Sequence, residues 1–99
     1  MNQIAKTLSS ERRQQVLKWL VDPVANFPAQ HTGDLVKDGV CVGFIADKLG
    51  IAQPSATAQM KILQEAGLVA STRIAQWTFY KRDEAGIKKA RSELSSLLD

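Results

Sequence analysis

Apolar residues near the start of the chain recur at helical spacing and predict two helices before Pro23. Ile4, Ala5 and Leu8 share one face of a short first helix, which is stable only when it packs on another part of the protein. The second helix follows Ser10, a good N-cap residue, and we expect Pro23 to end it. The apolar face of that helix consists of Val16, Leu17, Leu20 and Val21.

Residues 24–38 predict a long loop, because glycine, proline and short polar residues interrupt the helical period. Phe27 and Leu35 give this loop apolar side chains to bury, so we expect it to be ordered. A brief β-favouring run follows between two glycines and predicts a short strand. The members of that run are Val40, Cys41, Val42 and Phe44.

Two helices separated by a tight turn are predicted in the middle of the chain. The first covers 44–49 and ends at Gly50, which suits the left-handed conformation that closes many helices. The second covers 54–66, with Gln53 as its N-cap and Pro54 at its first position. At the 3.6-residue period its inner face is formed by Ala56, Met60 and Leu63.

The last third of the chain predicts a β-hairpin and a terminal helix. The runs LVASTR and WTFYKR favour strands, and Ile74, Ala75 and Gln76 join them. Aromatic residues of the second run are expected to pack in the sheet or core rather than to stack on bases, with alternate residues buried. Asp83 or Glu84 can start the helix. The aromatic residues are Trp77, Phe79 and Tyr80, and the terminal helix has an apolar stripe of Ile87, Ala90, Leu94, Leu97 and Leu98.

The order of these elements is typical of a winged helix-turn-helix, a mainly α fold with a small β-hairpin wing and the sequence α-α-β-α-α-β-β-α. The first strand is expected to pair with the hairpin and complete a small sheet. In this motif the second helix of the central pair, here 54–66, enters the major groove of DNA. We read residues 1–99 as one such domain with terminal dimerisation helices.

Composition agrees with a DNA-binding protein but does not identify one. The formal net charge is +3 and the pI is about 9.2, which suits a nucleic-acid partner. The start of the chain lacks a secretory signal, the single cysteine cannot form an intrachain disulfide, and no apolar run approaches the roughly 20 residues of a membrane span. These features predict a cytoplasmic protein without a membrane partner.

The run IADKLGIAQPSATAQMKILQEAGLV followed by WTFYK resembles the ArsR/SmtB family of bacterial repressors. The similarity extends upstream through AKTLSSERRQQVLKWL, so it covers most of the chain outside the loop 24–38. Three features differ from the family pattern. Ala52 replaces the usual serine cap, Gln59 replaces the usual histidine, and the wing tip IAQ lacks the usual glycine.

The outer side of the helix 54–66 begins with small residues, which let its backbone approach base edges closely. Gln53 and Gln59 can make paired amide contacts with adenine, and Ser55 and Thr57 can bond to bases or phosphates. Lys61 suits a phosphate contact. The alternative is that these are ordinary solvated polar residues. The complete set of predicted DNA contacts is Gln53, Ser55, Thr57, Ala58, Gln59 and Lys61, with Arg73, Lys81 and Arg82 on or beside the hairpin.

A two-fold dimer presents two such helices about 34 Å apart to successive major grooves of a palindromic operator. The resemblance implies a homodimer formed by the first and last helices and a repressor that blocks polymerase. The competing interpretation is that the same apolar residues close the core of a monomer. The predicted interface residues are Ile4, Leu8, Ile87, Leu94, Leu97 and Leu98.

Sensor and catalytic sites are not predicted. The resemblance implies two possible metal sites, but Cys41 lacks a second cysteine beside it and the terminal helix contains no histidine, so we expect no metal and no cofactor. Cys41 reads as a small apolar residue more readily than as a redox switch, and His31 as a surface residue.

No nucleophile, base and orienting group occur at a recognised spacing, so we expect no enzyme. The remaining alternative is a winged-helix protein-interaction or architectural module without sequence-specific DNA binding. The effector, if one exists, is not identified by the sequence.

Overall fold

The computed structural model describes residues 2–99, which form a helical body with a small antiparallel sheet along one side. The predicted mainly α fold with a hairpin wing is confirmed. Its helices are α1 (Gln3–Thr7), α2 (Glu11–Trp19), α3 (Pro23–Asn26), α4 (Val42–Leu49), α5 (Gln53–Glu65) and α6 (Glu84–Ser96). Its strands are β1 (Val40–Cys41), β2 (Val69–Ile74) and β3 (Trp77–Arg82).

Short polar side chains cap the starts of α1, α2, α3 and α6. The Asn2 side chain accepts hydrogen bonds from the backbone N–H groups of Ile4 and Ala5 at the start of α1. Ser10 Oγ accepts from Arg13 N at 3.3 Å, as predicted for the cap of α2. Asp83 caps α6 in the same way, so the caps predicted at Ser10 and Asp83 are confirmed.

Pro23 begins a helix rather than ending one, so this part of the prediction was wrong. α2 ends at Trp19, and Pro23 occupies the first turn of α3, where its fixed φ is compatible with a helix. Asp22 Oδ1 accepts from Ala25 N at 3.2 Å and caps this turn. Val21 follows the end of α2 and is 65% exposed, so it does not belong to the buried face.

The segment after α3 is ordered against the body, as predicted. Phe27 is buried and meets the Trp19 ring edge-on, with the ring centroids 6.3 Å apart. Gln30 Oε1 accepts from Cys41 N at 2.7 Å, and Gln30 Nε2 donates to Gly39 O at 3.1 Å. This one amide therefore ties the loop to β1.

The strand predicted from Val40 to Phe44 contains only its first two residues. Val40 pairs with Tyr80 and Cys41 with Phe79, after which Val42 starts α4. β-Favouring residues in a short run do not make a strand unless a neighbouring strand can pair with them. Val42 and Phe44 therefore belong to α4, which starts two residues earlier than predicted.

β3 is the central strand of the sheet, paired with β1 on one side and β2 on the other. β2 and β3 form the predicted hairpin, closed by a two-residue turn in which Ala75 has a positive φ of 54°. The adjacent Phe79 and Tyr80 are both buried, which departs from the predicted alternation. Tyr80 packs in the helical core, whereas the Phe79 ring lies against Gly33 of the loop, so the loop covers the second face of the sheet there.

The core lies between the central helices and the sheet. Side chains from α2, α4, α5 and β1 and the turn after α5 are fully enclosed there, which fixes α5 to the rest of the protein. The enclosed residues with the largest side chains are Ile45, Met60, Leu63, Leu68, Val16 and Val40, while the equally buried Phe79 lies on the face of the sheet that the loop covers.

Candidate nucleic-acid interface

The tight turn between α4 and α5 places the two helices as a helix-turn-helix. Gly50 adopts the predicted left-handed conformation with φ 70° at the end of α4. α5 then starts at Gln53, one residue before the predicted position. The prediction of Gln53 as the N-cap was therefore wrong: the N-cap is Ala52, and Pro54 is the second helical residue rather than the first. Within residues 2–99, no side chain caps the first turn of α5, so this end of the helix is open to an external hydrogen-bond acceptor.

The inner face of α5 anchors it to the core. Ala56, Met60 and Leu63 are each 0% exposed, as their spacing predicted. They recur at intervals of three and four residues, so the opposite side of the helix faces away from the core. This arrangement holds the helix firmly while leaving one side free.

The outer face of α5 carries polar and small side chains. Gln53, Ser55, Ala58 and Lys61 are exposed, and Thr57 is half-buried. Pro54 and Ile62 extend the same exposed surface, and Ile62 was not predicted to be part of it. This surface combines hydrogen-bonding groups, one positive charge and little bulk near the start of the helix, which suits close approach to base edges and phosphates.

Gln59 differs from the other predicted contacts because its side chain is already bonded within the chain. Arg13 Nη1 of α2 donates to Gln59 Oε1 at 2.9 Å, and Gln59 is half-buried. The structure therefore gives this residue an internal role that the sequence prediction did not include.

The three basic residues predicted on the hairpin lie at different ends of it. Arg73 pairs with Thr78 one step from the turn, and its exposed side chain donates to Ala75 O at 3.3 Å. Lys81 and Arg82 pair with Ala70 and Val69 at the base of the hairpin, away from its tip. Only Arg73 is thus placed at the end of the wing.

Arg82 is committed to contacts inside the protein. Its Nε donates to Glu84 Oε1 at 2.6 Å, and its Nη1 donates to Leu17 O at 3.2 Å. Its side chain is only 15% exposed. The structure does not support the predicted DNA contact of Arg82, because its guanidinium fastens the end of β3 to α2 and α6. Lys81 Nζ donates to Lys37 O at 3.0 Å, which holds the loop against the sheet.

Hydrogen bonding and burial shift three pKa values, all outside the α5 surface. The hydrogen bond from Arg82 lowers the pKa of the Glu84 carboxyl. Backbone N–H groups of Lys37 and Val36 donate to Asp34 and lower its pKa. Burial raises the pKa of the Tyr80 phenol. These shifts reflect structural contacts in the loop and sheet.

The predicted interface residues divide into three groups within the single chain, according to their burial. Ile4 and Ile87 are buried where α1 packs on α6, so they close the core of one chain as the competing interpretation held. Leu8 and Leu94 are half-buried at its edge. Leu97 and Leu98 at the end of α6 are 55% and 89% exposed.

The loop, β1 and β3 line a small open pocket beside Cys41. Its volume is about 150 Å³, and its walls include Phe44, Trp77 and Phe79. Cys41, which the sequence indicated to be a small apolar residue, is a half-buried free thiol, and His31 is exposed beside this pocket. In the described part of the chain, no group of three or more His, Cys, Asp or Glu side chains is arranged to hold a metal ion. No helix formed by residues 2–99 has the length and apolar character to cross a membrane.

The chain is similar to known transcriptional regulators over most of its length. It is 46% identical over 88 residues to YbzH, an uncharacterized HTH-type transcriptional regulator of Bacillus subtilis (strain 168), and the match covers 88% of this chain and 87% of the relative. No family model matches the chain.

Solved structures share the arrangement of helices and strands. A possible transcriptional regulator for arsenical resistance superposes with a TM-score of 0.73 at 15% identity, covering 100% of this chain and 88% of that one. The homodimeric winged helix-turn-helix domain of a possible ArsR-family regulator from Mycobacterium bovis gives 0.63 at 21% identity, covering 96% and 75%. Reduced HlyU from Vibrio cholerae gives 0.64 at 25% identity, covering 96% and 84%.

Proposed function

Since the chain belongs to the helix-turn-helix transcriptional regulators and has the winged-helix fold of the ArsR type, we propose that it is a homodimeric repressor that binds a specific DNA sequence. In this proposal α5 of each subunit enters the major groove and the hairpin contacts the adjacent backbone. The dimer then covers a promoter and excludes polymerase.

The observation that carries this proposal is the division of α5 into two faces. Three side chains on one face are fully enclosed, while the opposite face is exposed, polar and small. A helix that is anchored on one side can present its other side to base edges at a fixed angle. Such pre-organisation reduces the entropic cost of binding.

The DNA contacts in the proposal follow from what each exposed side chain can do. Gln53, Ser55 and Thr57 donate and accept hydrogen bonds and read bases or bind phosphates. Ala58 allows close approach, and Lys61 binds a phosphate through its positive charge. Arg73 extends these phosphate contacts at the wing tip. Gln59, Lys81 and Arg82 are left out of the contact set, because each is bonded to a distant segment of the chain, whereas Arg73 bonds only within the hairpin turn.

Dimerisation is proposed through the side chains that remain exposed near the two ends of the chain. Leu97 and Leu98 form an apolar end of α6 that water solvates poorly, and Leu8 and Leu94 continue it toward the core. Pairing these surfaces around a two-fold axis buries them and sets the spacing of the two α5 helices.

Sedimentation measurements test the interface. The unaltered protein should sediment as a dimer at micromolar concentration, and Leu97→Asp should shift it toward monomer because a carboxylate is costly to bury. Val36→Asp is the matched control, since Val36 is 62% exposed on the loop and lies outside the proposed interface. Dimers of equal strength in all three proteins would contradict the proposed contact surface.

Selection of bound duplexes from a random DNA pool tests sequence specificity. The proposal predicts an enriched palindrome whose half-sites are about 10 base pairs apart from centre to centre. Binding to duplex DNA without any enriched sequence would instead favour the architectural alternative. Absence of duplex binding even at low salt would favour the protein-interaction alternative and refute the proposal.

A further inference from the structure

The Arg13 side chain joins three helices through hydrogen bonds. Its Nε donates to Thr7 O at 2.7 Å and its Nη2 to Lys6 O at 3.5 Å, both at the end of α1. Its Nη1 donates to Gln59 Oε1 at 2.9 Å in the middle of α5. Arg13 itself belongs to α2, so one guanidinium connects the short first helix to the candidate DNA-reading helix.

α1 depends on such contacts for its position. It has only five residues, and a helix of this length is unstable without packing. Its last carbonyl groups lack partners within the helix. Ser9 N and Ser9 Oγ donate to Lys6 O at 3.2 and 2.6 Å, and Arg13 donates to Thr7 O and adds positive charge where the helix dipole is negative. Gln14 Nε2 adds a hydrogen bond to Leu8 O from the same side. Two neighbouring side chains of α2 thus hold the end of α1.

The contact with Gln59 has a defined chemistry. A guanidinium only donates hydrogen bonds, so the amide must turn its oxygen toward Arg13. Gln59 is half-buried and directly precedes the fully buried Met60. An amide held in this orientation is not free to make the paired contact with adenine, which needs both its oxygen and its nitrogen.

We propose that Arg13 is a positioning residue that couples α1 to α5, and that Gln59 supports DNA binding through Arg13 rather than by contacting a base. This inference rests on the proposed function, in which α5 reads DNA and α1 lies near the dimer contact. A displacement of α1 at the interface is then transmitted to α5 through the planar guanidinium group of Arg13, whose N–H donors are fixed relative to one another. Lysine cannot replace arginine here, because a single ammonium group does not reproduce this geometry.

A double-mutant cycle on DNA affinity tests the coupling. Arg13→Lys keeps the charge, and Gln59→Met keeps the length of the side chain without its hydrogen-bonding groups. Each substitution should lower the affinity for the selected duplex about tenfold. The double variant should bind the duplex at least as tightly as the single variant with the lower affinity. Gln64→Met is the matched control, because it removes a side-chain hydrogen bond of α5 to Ser71 without touching Arg13, and it should bind like the unaltered protein.

Three results would overturn the proposal. If Arg13→Lys binds the duplex with unchanged affinity, the guanidinium geometry is not needed. If the affinity losses of the two single variants multiply in the double variant, the two residues act separately. If Gln59 reads a base directly, Gln59→Met alone relaxes the preference at one base pair of the selected sequence while Arg13→Lys leaves all preferences intact.

Hydrogen exchange without DNA separates this proposal from the proposed function. The amide of Leu8, bonded to Ile4 O at 2.9 Å, reports on the end of α1. Its exchange should accelerate several-fold in both Arg13→Lys and Gln59→Met and stay unchanged in Gln64→Met. Unaltered exchange in Gln59→Met would refute the coupling. If the unaltered protein binds no duplex, the proposed function fails, and the exchange rates still decide whether Arg13 links the two helices.

Discussion

Replacing Gly86 by alanine should destabilise the protein, although the same change stabilises most helices. Gly86 lies in the first turn of α6, and its N–H donates to Asp83 Oδ1 at 3.0 Å. A methyl group on its Cα would overlap the carbonyl oxygen of Gly67, in the turn that follows α5. Gly67 lies in a turn held by hydrogen bonds from Gly67 N to Gln64 O at 2.9 Å and from Leu68 N to Leu63 O at 3.0 Å, so moving its carbonyl away disturbs these bonds.

The size of the effect follows from two opposing terms. Alanine is favoured over glycine inside a helix by about 1 kcal/mol. Moving packed backbone to admit an extra methyl group costs roughly 1–3 kcal/mol. The overlap here involves backbone rather than a flexible side chain, so we expect the upper part of that range and a net loss of about 1–2 kcal/mol. Each kcal/mol lowers the melting temperature of a domain of this size by roughly 4–8 °C.

Gly43→Ala is the matched control in α4. A methyl group there would lie 3.5 Å from Gln53 Oε1 and 3.8 Å from Cys41 Sγ, which are ordinary contacts. We expect Gly43→Ala to leave stability unchanged or to raise it by up to about 1 kcal/mol. Urea unfolding followed by circular dichroism, at one protein concentration for all variants, measures both changes. A Gly86→Ala variant as stable as the Gly43→Ala variant would refute the packing of α6 on the turn after α5.

Further predictions concern the core, a helix cap and an ion pair. Met60→Ala should lower the free energy of unfolding by about 2–4 kcal/mol because Met60 is 0% exposed, and a smaller loss in urea titrations would contradict its place in the core. Asp83→Ala should cost about 1 kcal/mol, whereas Asp83→Asn keeps an acceptor for Gly86 N and should cost less; equal losses would argue against capping. The hydrogen bond from Arg82 lowers the pKa of the Glu84 carboxyl. The stabilisation from this hydrogen bond is therefore complete above the ordinary pKa of 4.5, and it disappears as the pH falls through the lowered pKa of the folded protein. Glu84→Gln should therefore be less stable than the unaltered protein at neutral pH and equally stable in acid, and a pH-independent difference in melting temperature would refute this assignment.

The sequence predicted those features that depend on nearby residues. The buried stripe of α5 follows from spacing alone, and the caps at Ser10 and Asp83 depend on hydrogen bonds that span three residues. The hairpin follows from two β-favouring runs joined by a short turn. Pro23 was assigned wrongly because proline fits both the residue after one helix and the first turn of the next.

Features that depend on distant residues were not predictable in this way. Arg13 and Gln59 are 46 residues apart, and Arg82 bonds to a carbonyl 65 residues away, so no local pattern indicates either contact. β1 is short because only Val40 and Cys41 pair with β3, and the periodicity of the sequence does not indicate where this pairing ends. A basic residue read from sequence as a DNA contact can therefore serve as an internal fastener, as Arg82 does.

Burial changes which apolar residues are candidates for the dimer contact. Ile4 and Ile87 satisfied the helical spacing of an interface, but the same spacing is required for packing α1 on α6 inside one chain. Exposure separates the two roles only after the fold is known. Of the predicted interface residues, Leu97 and Leu98 are the two that remain exposed in a single chain.

The most direct test of the account is the salt dependence of DNA binding by two lysine variants. Lys61→Glu changes the outer face of α5, and Lys88→Glu makes the same charge change at an exposed position on α6. Fluorescence anisotropy with the selected duplex measures affinity over a range of salt concentrations. We predict that Lys61→Glu binds more weakly and that the slope of log affinity against log salt falls by about one per lost phosphate contact, while Lys88→Glu keeps the slope of the unaltered protein. Equal slopes and affinities for the two variants would show that α5 does not face the DNA.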